Sequence, residues 1–494
     1  MTKAVTFLDD IVLARDKPEA LRAQLARELR RFILCGALVP GARLPATRIC
    51  AQRIGVGRNV VTEAYDTLIS EGLLKAHRGA GTFVSCRATA AKQVDRSAEA
   101  MDPRPEPADI QRAVLWANRL ARVNADQCGQ PDTTHAFVPG VPALRQFPAD
   151  AWARAATKAM RDPQATYLAD TDPRSLPALR EAIAAHVGPS RGIACSPDQV
   201  IVLTGSRQGF EMAIRLLTDI GDPVMVEDPG YVEARAVVAG LGRRIVGCPV
   251  GPHGARPPTD FGGAPLFIVT PAHQYPTGGR MSPATLHALL DKARQQVCIL
   301  VEDDYDGEFH HGGQSTPALS GIDDLRRTIH IGTFSKSMFP GLRLGYMITP
   351  PALSDPIARL RGIMDGQPSS PLQAFMAAFI RSGAFARHLR RMRDLYTQRK
   401  AALRDVTDRL GDGVLTPLSS DSGLHLCCQI PPGVDDVALV ARLSEGGIGA
   451  TALSQYYLDP HTAPPGLVIG FGNTEAWRYD DLIRQVVAAI KVAL

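Results

Sequence analysis

Between residues 17 and 32 the apolar positions Leu21, Leu25, Leu29 and Phe32 recur at three- and four-residue spacing, the pattern of an amphipathic helix, and Val39-Pro40-Gly41 closes it. A second, shorter helix is expected after Leu44-Pro45-Ala46, starting at Thr47 and running through Ile49, Ala51 and Ile54. Gly55-Val56-Gly57 turns the chain into a third helix that starts at Arg58 and carries Val61, Ala64, Tyr65 and Leu68 on one face. Glu71-Gly72 leads on to two short strands, residues 73–75 and 82–84, around a glycine-rich hairpin over residues 76–81. Three helices and a two-stranded wing make an α+β winged helix-turn-helix domain over residues 1–86.

The pattern then changes. From residue 87 to 134, Pro103, Pro105 and Pro107 interleave with charges and no strand pattern appears, so this stretch reads as a linker, with a short helix expected around residues 110–123. From residue 135 to 494 apolar strands alternate with helices, with strands expected at 200–203, 224–226, 266–270, 298–301 and 328–331. That alternation predicts an α/β domain with a mostly parallel sheet, in which ligands gather beyond the carboxyl ends of the strands. The residues that follow these strands are Thr204-Gly205-Ser206, Glu227-Asp228-Pro229-Gly230-Tyr231, Pro271-Ala272-His273, Glu302-Asp303-Asp304-Tyr305 and Gly332-Thr333-Phe334-Ser335-Lys336. The chemically suggestive side chains therefore fall at one edge.

Composition narrows the class. A chain of 494 residues, 45% apolar, is too long for one core and long enough to fill two or three. No apolar run reaches the roughly 18 residues of a membrane span, and Met1-Thr2-Lys3-Ala4 opens no secretory signal, so no membrane partner and a cytoplasmic location are expected. Nine cysteines without a Cys-x-x-Cys spacing read as reduced thiols and offer no metal site. Residues 1–87 hold fourteen Lys and Arg against eight Asp and Glu, while the remainder holds 41 against 42. All the excess positive charge lies in the piece that looks like a reader of a polyanion.

Pyridoxal phosphate asks for an amine to hold its aldehyde, a carboxylate at the pyridine nitrogen, an anion site and a ring to stack on. Lys336 supplies the amine for a Schiff base, and Asp303 the carboxylate that keeps the ring nitrogen protonated. Tyr305 can hydrogen-bond the phenolic oxygen, and Tyr231 can stack. Gly205, Ser206 and Arg207 lie at a strand-to-helix turn whose backbone amides favour phosphate, with hydroxyls from Thr333 and Ser335 and a guanidinium fork from Arg343. Singly each has a bland reading as a solvated charge or a turn; their shared placement after strand ends is what carries the assignment.

With VLTGSRQGF, VEDPGY, TPAHQYPTG, VEDDYDGEF and GTFSKSMFPGLRLGY in residues 135–494, and RLPATR, GVGRNVVTEAYDTL and RGAGTFV at the front, the chain resembles the MocR/GabR group of GntR-family transcription regulators. The resemblance implies a fold-type-I aminotransferase-like domain behind the winged helix-turn-helix, with Lys336 carrying the cofactor, Asp303 facing its ring nitrogen, Tyr305 its phenolic oxygen and Tyr231 its ring. It departs from aminotransferases in two places. Their Asn-Pro-x-Gly turn reads Tyr275-Pro276-Thr277-Gly278, which puts Tyr275 beside the cofactor, and Leu467-Val468-Ile469-Gly470-Phe471 lacks the arginine that clamps a substrate's α-carboxylate. Ligand choice is left open.

Arg58, Asn59 and Thr62 at the start of the third helix are the expected groove contacts, Arg48 a phosphate anchor, and Arg78 with Gly79 and Gly81 the wing's approach to the minor groove. The expected function is a regulator that binds a double-stranded DNA operator as a homodimer and senses a small amine or amino acid when its amino group displaces Lys336 from the cofactor. An active aminotransferase with an appended DNA-binding domain is the alternative.

Overall fold

The computed structural model describes residues 7–8, 11, 13–14, 19–34, 36–77, 80–85, 119, 132–161, 168, 172–311, 317–420 and 422–494. The chain divides into two compact units, Met1–Glu106 and Pro107–Leu494. The helix expected within residues 110–123 lies outside the described residues except for Arg119, whose guanidinium donates to the Gly240 carbonyl at 3.0 Å.

In the first unit, α1 (Leu21–Leu34) buries Leu25, Leu29, Phe32 and also Ile33, two residues longer at its end than the periodicity implied. The second helix, α2 (Thr47–Ile54), starts where expected, but Thr47 is its first residue and makes no side-chain cap. Ile49 is 55% exposed while Cys50 is fully buried, because one helical step of about 100° carries the apolar face past Ile49. Gly55 ends α2 in the left-handed region at φ 68. In α3 (Arg58–Ser70) the buried residues are Val61, Ala64, Tyr65 and Leu68, and the Tyr65 hydroxyl donates to the Pro45 carbonyl at 3.0 Å, pinning α3 to the lead-in of α2. The wing pairs β1 (Leu74–His77) with β2 (Gly81–Val84), so Ala76 and His77 belong to a strand and the connection shortens to residues 78–80. Arg78 and Gly79 lie outside the described residues.

The second unit is built on an eight-stranded sheet in the order β3-β10-β9-β8-β7-β4-β5-β6. Its members are β3 (Val200–Leu203), β4 (Pro223–Asp228), β5 (Arg244–Gly251), β6 (Gly254–Ala255), β7 (Leu266–Val269), β8 (Ile299–Asp304), β9 (Thr328–Thr333) and β10 (Gly345–Ile348). The pairs among β4, β5, β7, β8 and β9 are parallel, whereas β10 runs antiparallel to both β3 and β9. Strands β4, β8 and β9 run two or three residues beyond their apolar cores, with Glu227, Asp228, Asp303 and Asp304 still in register. Polar residues can stay in the ladder because the protein hydrogen-bonds them: Glu302 accepts from the Leu319 and Ser320 amides at 2.7 and 3.1 Å, and Asp304 takes the Arg191 guanidinium at 2.6 and 3.0 Å. A smaller antiparallel sheet, ordered β11 (Thr416–Pro417), β12 (His425–Gln429), β14 (Gly466–Gly470) and β13 (Thr451–Ala452), follows the 27-residue helix Ala384–Leu410.

Gly332 in β9 lies against the hydroxyl end of the Tyr346 ring, and a Cβ there would stand 2.2 Å from Tyr346 Cζ. Gly332→Ala is expected to cost about 1–3 kcal/mol of stability in the second unit and to displace the Lys336 segment four residues on. Thermal unfolding and binding of added pyridoxal phosphate check this; a variant indistinguishable from wild type in both would show that the ring moves aside freely.

Candidate functional site

Because β10 is reversed, it begins at the edge where β3 and β9 end, with Gly345 opposite both Leu203 and Thr333. A Cβ on Gly345 would stand 2.9 Å from the Gly332 carbonyl oxygen, with the Gly205 and Thr333 Cα atoms in ordinary contact at 3.6 and 3.7 Å, so glycine lets β10 close on β9 there. Gly205 itself sits at φ 150 and ψ 170, a conformation open to glycine, and precedes the helix Ser206–Leu217 without a side-chain cap. Arg343, left-handed at φ 49, lies against it, with one guanidinium nitrogen 3.4 Å from where a Gly205 Cβ would be. Exposed first-turn amides, a guanidinium and the Thr333 and Ser335 segment thus converge as an anion cradle; Ser335 N–H already donates to Thr333 Oγ1 at 3.1 Å.

Beside the cradle, Lys336 Nζ donates to the Gly140 carbonyl at 2.9 Å, and at φ 74 Gly140 leaves room that a Cβ, 2.5 Å from Nζ, would fill. Burial pushes the Lys336 pKa down, against the pull of Asp306, Glu233 and Asp303, which favours the neutral, nucleophilic amine. Asp303 is buried on β8; burial raises its pKa well above the carboxylate range, and nearby Asp304, Asp306 and Glu227 add to this. Its Oδ1 has no hydrogen-bond partner among the described residues. An orphaned buried carboxylate oxygen fits a cationic ring nitrogen that donates to it.

Tyr231 precedes the helix Val232–Gly240, half-buried, its ring edge-on to Phe210 at 6.3 Å and Tyr275 at 5.9 Å. The Arg207 guanidinium bonds Glu233 at 2.8 Å and the Tyr231 hydroxyl, and its charge reaches Lys336. The Tyr275 hydroxyl is turned to Tyr456 at 3.1 Å. Tyr305 lines the same cavity as Lys336 and Thr333, and its hydroxyl meets His273 Nδ1 at 2.8 Å. His273 and its neighbour Asp306 had no role in the sequence reading; the signal for them was a histidine following an expected strand, which alone says little.

In the first unit Arg48, Arg58, Asn59 and Thr62 are all exposed, with Arg58 Nε donating to Thr47 Oγ1 at 3.4 Å and Thr62 Oγ1 to the Arg58 carbonyl at 3.1 Å. Gly57 supplies no side-chain cap to α3, so its first turn keeps amides available beside Arg58. Gly81 sits within the wing at φ 108, and a Cβ there would come within 3.0 Å of the Arg43 side chain.

These features define a winged helix-turn-helix unit joined to a fold-type-I aminotransferase-like unit. The family model for aminotransferase class I and II, a pyridoxal phosphate-dependent fold family, matches residues 141–467, and that for bacterial regulatory proteins of the gntR family matches residues 21–84. The chain is 34% identical over 471 residues to the probable rhizopine catabolism regulatory protein MocR of Rhizobium meliloti, covering 94% of this chain and 92% of that one. It is 32% identical over 490 residues to the HTH-type pyridoxine biosynthesis transcriptional regulator PdxR of Corynebacterium glutamicum, covering 98% of each. The α-aminoadipate aminotransferase LysN of Thermus thermophilus, solved with N-(5'-phosphopyridoxyl)-L-leucine, matches with a TM-score of 0.68 at 22% identity over 76% of this chain and 97% of its own. The chain belongs to the MocR/GabR group of GntR-family transcription regulators.

Glu227, buried on β4, accepts from Thr270 and from Gln274, while burial lifts its pKa to about 7. A carboxyl whose folded pKa lies above its unfolded value contributes stability that is complete below the unfolded pKa and is lost as pH rises through the folded one. Wild-type stability should therefore carry a loss between about pH 4.5 and 7 that Glu227→Gln removes. Unfolding midpoints of both proteins at pH 5 and pH 8 test this; an equal pH dependence in the two would count against an ionising Glu227.

Proposed function

We propose that this chain is a DNA-binding transcription regulator that holds pyridoxal phosphate at Lys336 and responds to a small amine or amino acid. The observation that carries the reading is the buried Asp303 Oδ1, without a hydrogen-bond partner among the described residues, in the same constellation as the Lys336 amine and beside a glycine turn under Arg343. Bound there, the cofactor supplies an aldehyde that primary amines can capture. Asp303 would hold the ring nitrogen's proton, the first turn at Ser206 and Arg343 would bind the phosphate, and Tyr231 would take the ring face. An effector's amino group would compete with that of Lys336, whose depressed pKa lets it leave and return as a neutral amine.

At the other end of the chain, Arg58, Asn59 and Thr62 would reach base edges in a major groove and Arg48 a phosphate. One such unit makes few contacts, so a homodimer reading paired half-sites is the expected form. Effector binding would change DNA binding to the extent that the two arrangements of the dimer differ in effector affinity.

Lys336→Ala is expected to lose the visible absorbance of the bound cofactor and the response to a panel of primary amines and amino acids, while still retarding operator DNA. An unaltered response in that variant would rule out Lys336 as the sensing amine. Arg58→Ala should weaken specific operator binding about tenfold or more, the scale of one lost bidentate base contact, with cofactor content unchanged. Equal gel retardation by both proteins would remove Arg58 from the groove. Release of keto acid at sustained turnover would instead make the chain a working aminotransferase.

A further inference from the structure

His273 sits on the segment after β7 with both ring nitrogens engaged. Its Nδ1 lies 2.9 and 3.1 Å from the two Asp306 carboxylate oxygens and 2.8 Å from the Tyr305 oxygen, and its Nε2 lies 3.2 Å from Ser420 Oγ. The ring stacks on that of Tyr305 at 5.7 Å and 26°. Gly423, at φ 82, presses so closely that any side chain there would fall on the imidazole. The ring is therefore locked in place.

One nitrogen carries at most one proton, and here two oxygen groups claim it. Burial, with Lys400 adding to it, drives the His273 pKa down to about 3, so the ring is neutral and has a single N–H to place. Asp306, raised by burial to about 6 with His425, His310, Lys336 and His311 opposing the rise, is ionised at neutral pH and can only accept. A bare Nδ1 would set a lone pair against that carboxylate; the proton therefore belongs on Nδ1, leaving Nε2 as the acceptor toward the Ser420 hydroxyl, which also lies 3.2 Å from the Ser422 carbonyl. With the Nδ1 proton shared between Asp306 and the Tyr305 oxygen, Tyr305 cannot spend its own proton on His273.

We propose that His273 is the positioning residue for Tyr305, turning that hydroxyl's proton into the cavity it shares with Lys336 and Thr333. The inference rests on the cofactor reading above, and it gives to a histidine the orienting work that the Tyr275 hydroxyl, spent on Tyr456, does not do. A proton donated from Tyr305 to the cofactor's phenolic oxygen stabilises negative charge there and lowers the pH at which the cofactor's visible absorbance changes.

The test is a pH titration of that absorbance in full-length protein loaded with pyridoxal phosphate. His273→Phe keeps the ring and its burial but removes the N–H, and should raise the midpoint by about one pH unit, the size of one hydrogen bond to a charged oxygen. His273→Asn, whose amide nitrogen falls near the position of Nδ1, should return the midpoint toward wild type, which a purely packing role would not do. In a Tyr305→Phe background His273→Phe should shift nothing further. An unmoved midpoint in His273→Phe, an asparagine variant that behaves like phenylalanine, or an undiminished shift without the Tyr305 hydroxyl would each overturn the proposal. If His273→Phe does not fold, the same cycle runs with His273→Ala. A wild-type protein that stays colourless fails the cofactor reading and the inference with it; a coloured protein with unmoved midpoints fails the inference alone. The rival is an ion, since donor atoms of His273, Asp306 and His425 lie within 4.8 Å of one another. One equivalent of zinc in the purified protein, lost in His425→Ala, would replace the hydrogen-bond relay with a metal centre.

Discussion

Several carboxylates buried around one lysine set the terms for the rest of the second unit. Glu227, Glu302, Asp303, Asp304 and Asp306 are all within a tenth of full burial, on or just past two strands of one sheet. Unpaired ions in such a place cost several kcal/mol each, so each needs a partner or a proton. Glu302 has two backbone amides and His330, Asp304 has Arg191, Asp306 has His273, and Glu227 has Thr270 and Gln274. Among the described residues Asp303 Oδ1 and Glu227 Oε1 are left without a hydrogen-bond partner, and of the two Asp303 is the one set against the field of Lys336. The three settled carboxylates, Glu302, Asp304 and Asp306, hold the edge together; Asp303, beside the field of Lys336, is where a cationic ligand gains most.

The reversed strand β10 explains how that edge becomes a site. In a fully parallel sheet the residue before a strand lies at the opposite end from the residue after one. By running against β3 and β9, β10 brings its approach segment, with Arg343, to the same end as Gly205 and Lys336. Two conformations that suit few residues, φ 150 at Gly205 and φ 49 at Arg343, are the local cost of that convergence.

Much of this was legible in the chain before any fold was known. The face of α3 and the strand at residues 200–203 could be read directly, because a strict helical repeat or a short run of Val, Ile and Leu has few alternatives. Strand ends at Glu227 and Asp304 could not, since polarity ends a pattern while pairing continues wherever tertiary partners satisfy the side chain. Strands β5, β10, β12 and β14 were missed: β5 is largely half-exposed and broken by Gly247 and Pro249, and the others are four or five residues long, rich in glycine or cysteine, and indistinguishable from buried loop by periodicity. Candidate ligand groups were readable one by one. What their sequence neighbours hid was direction: that Arg207 turns to Glu233, Tyr275 to Tyr456, and that His273 stands behind Tyr305.

Direction matters because the site's electrostatics are unbalanced as folded. Burial weakens both the ammonium of Lys336 and the carboxylate of Asp303, so neither ionises as it would in water, and Glu227 adds a third group displaced toward neutrality. A planar cation-bearing ring that donates to Asp303 would let that carboxylate ionise in place, and its phosphate would meet the Arg343 cradle at the same moment. A ligand that bound the folded unit and not the unfolded chain would add its affinity directly to the stability of the sheet edge. Ligand binding and folding would then draw on one reserve, the unsatisfied Asp303 oxygen that separates the occupied state from the empty one.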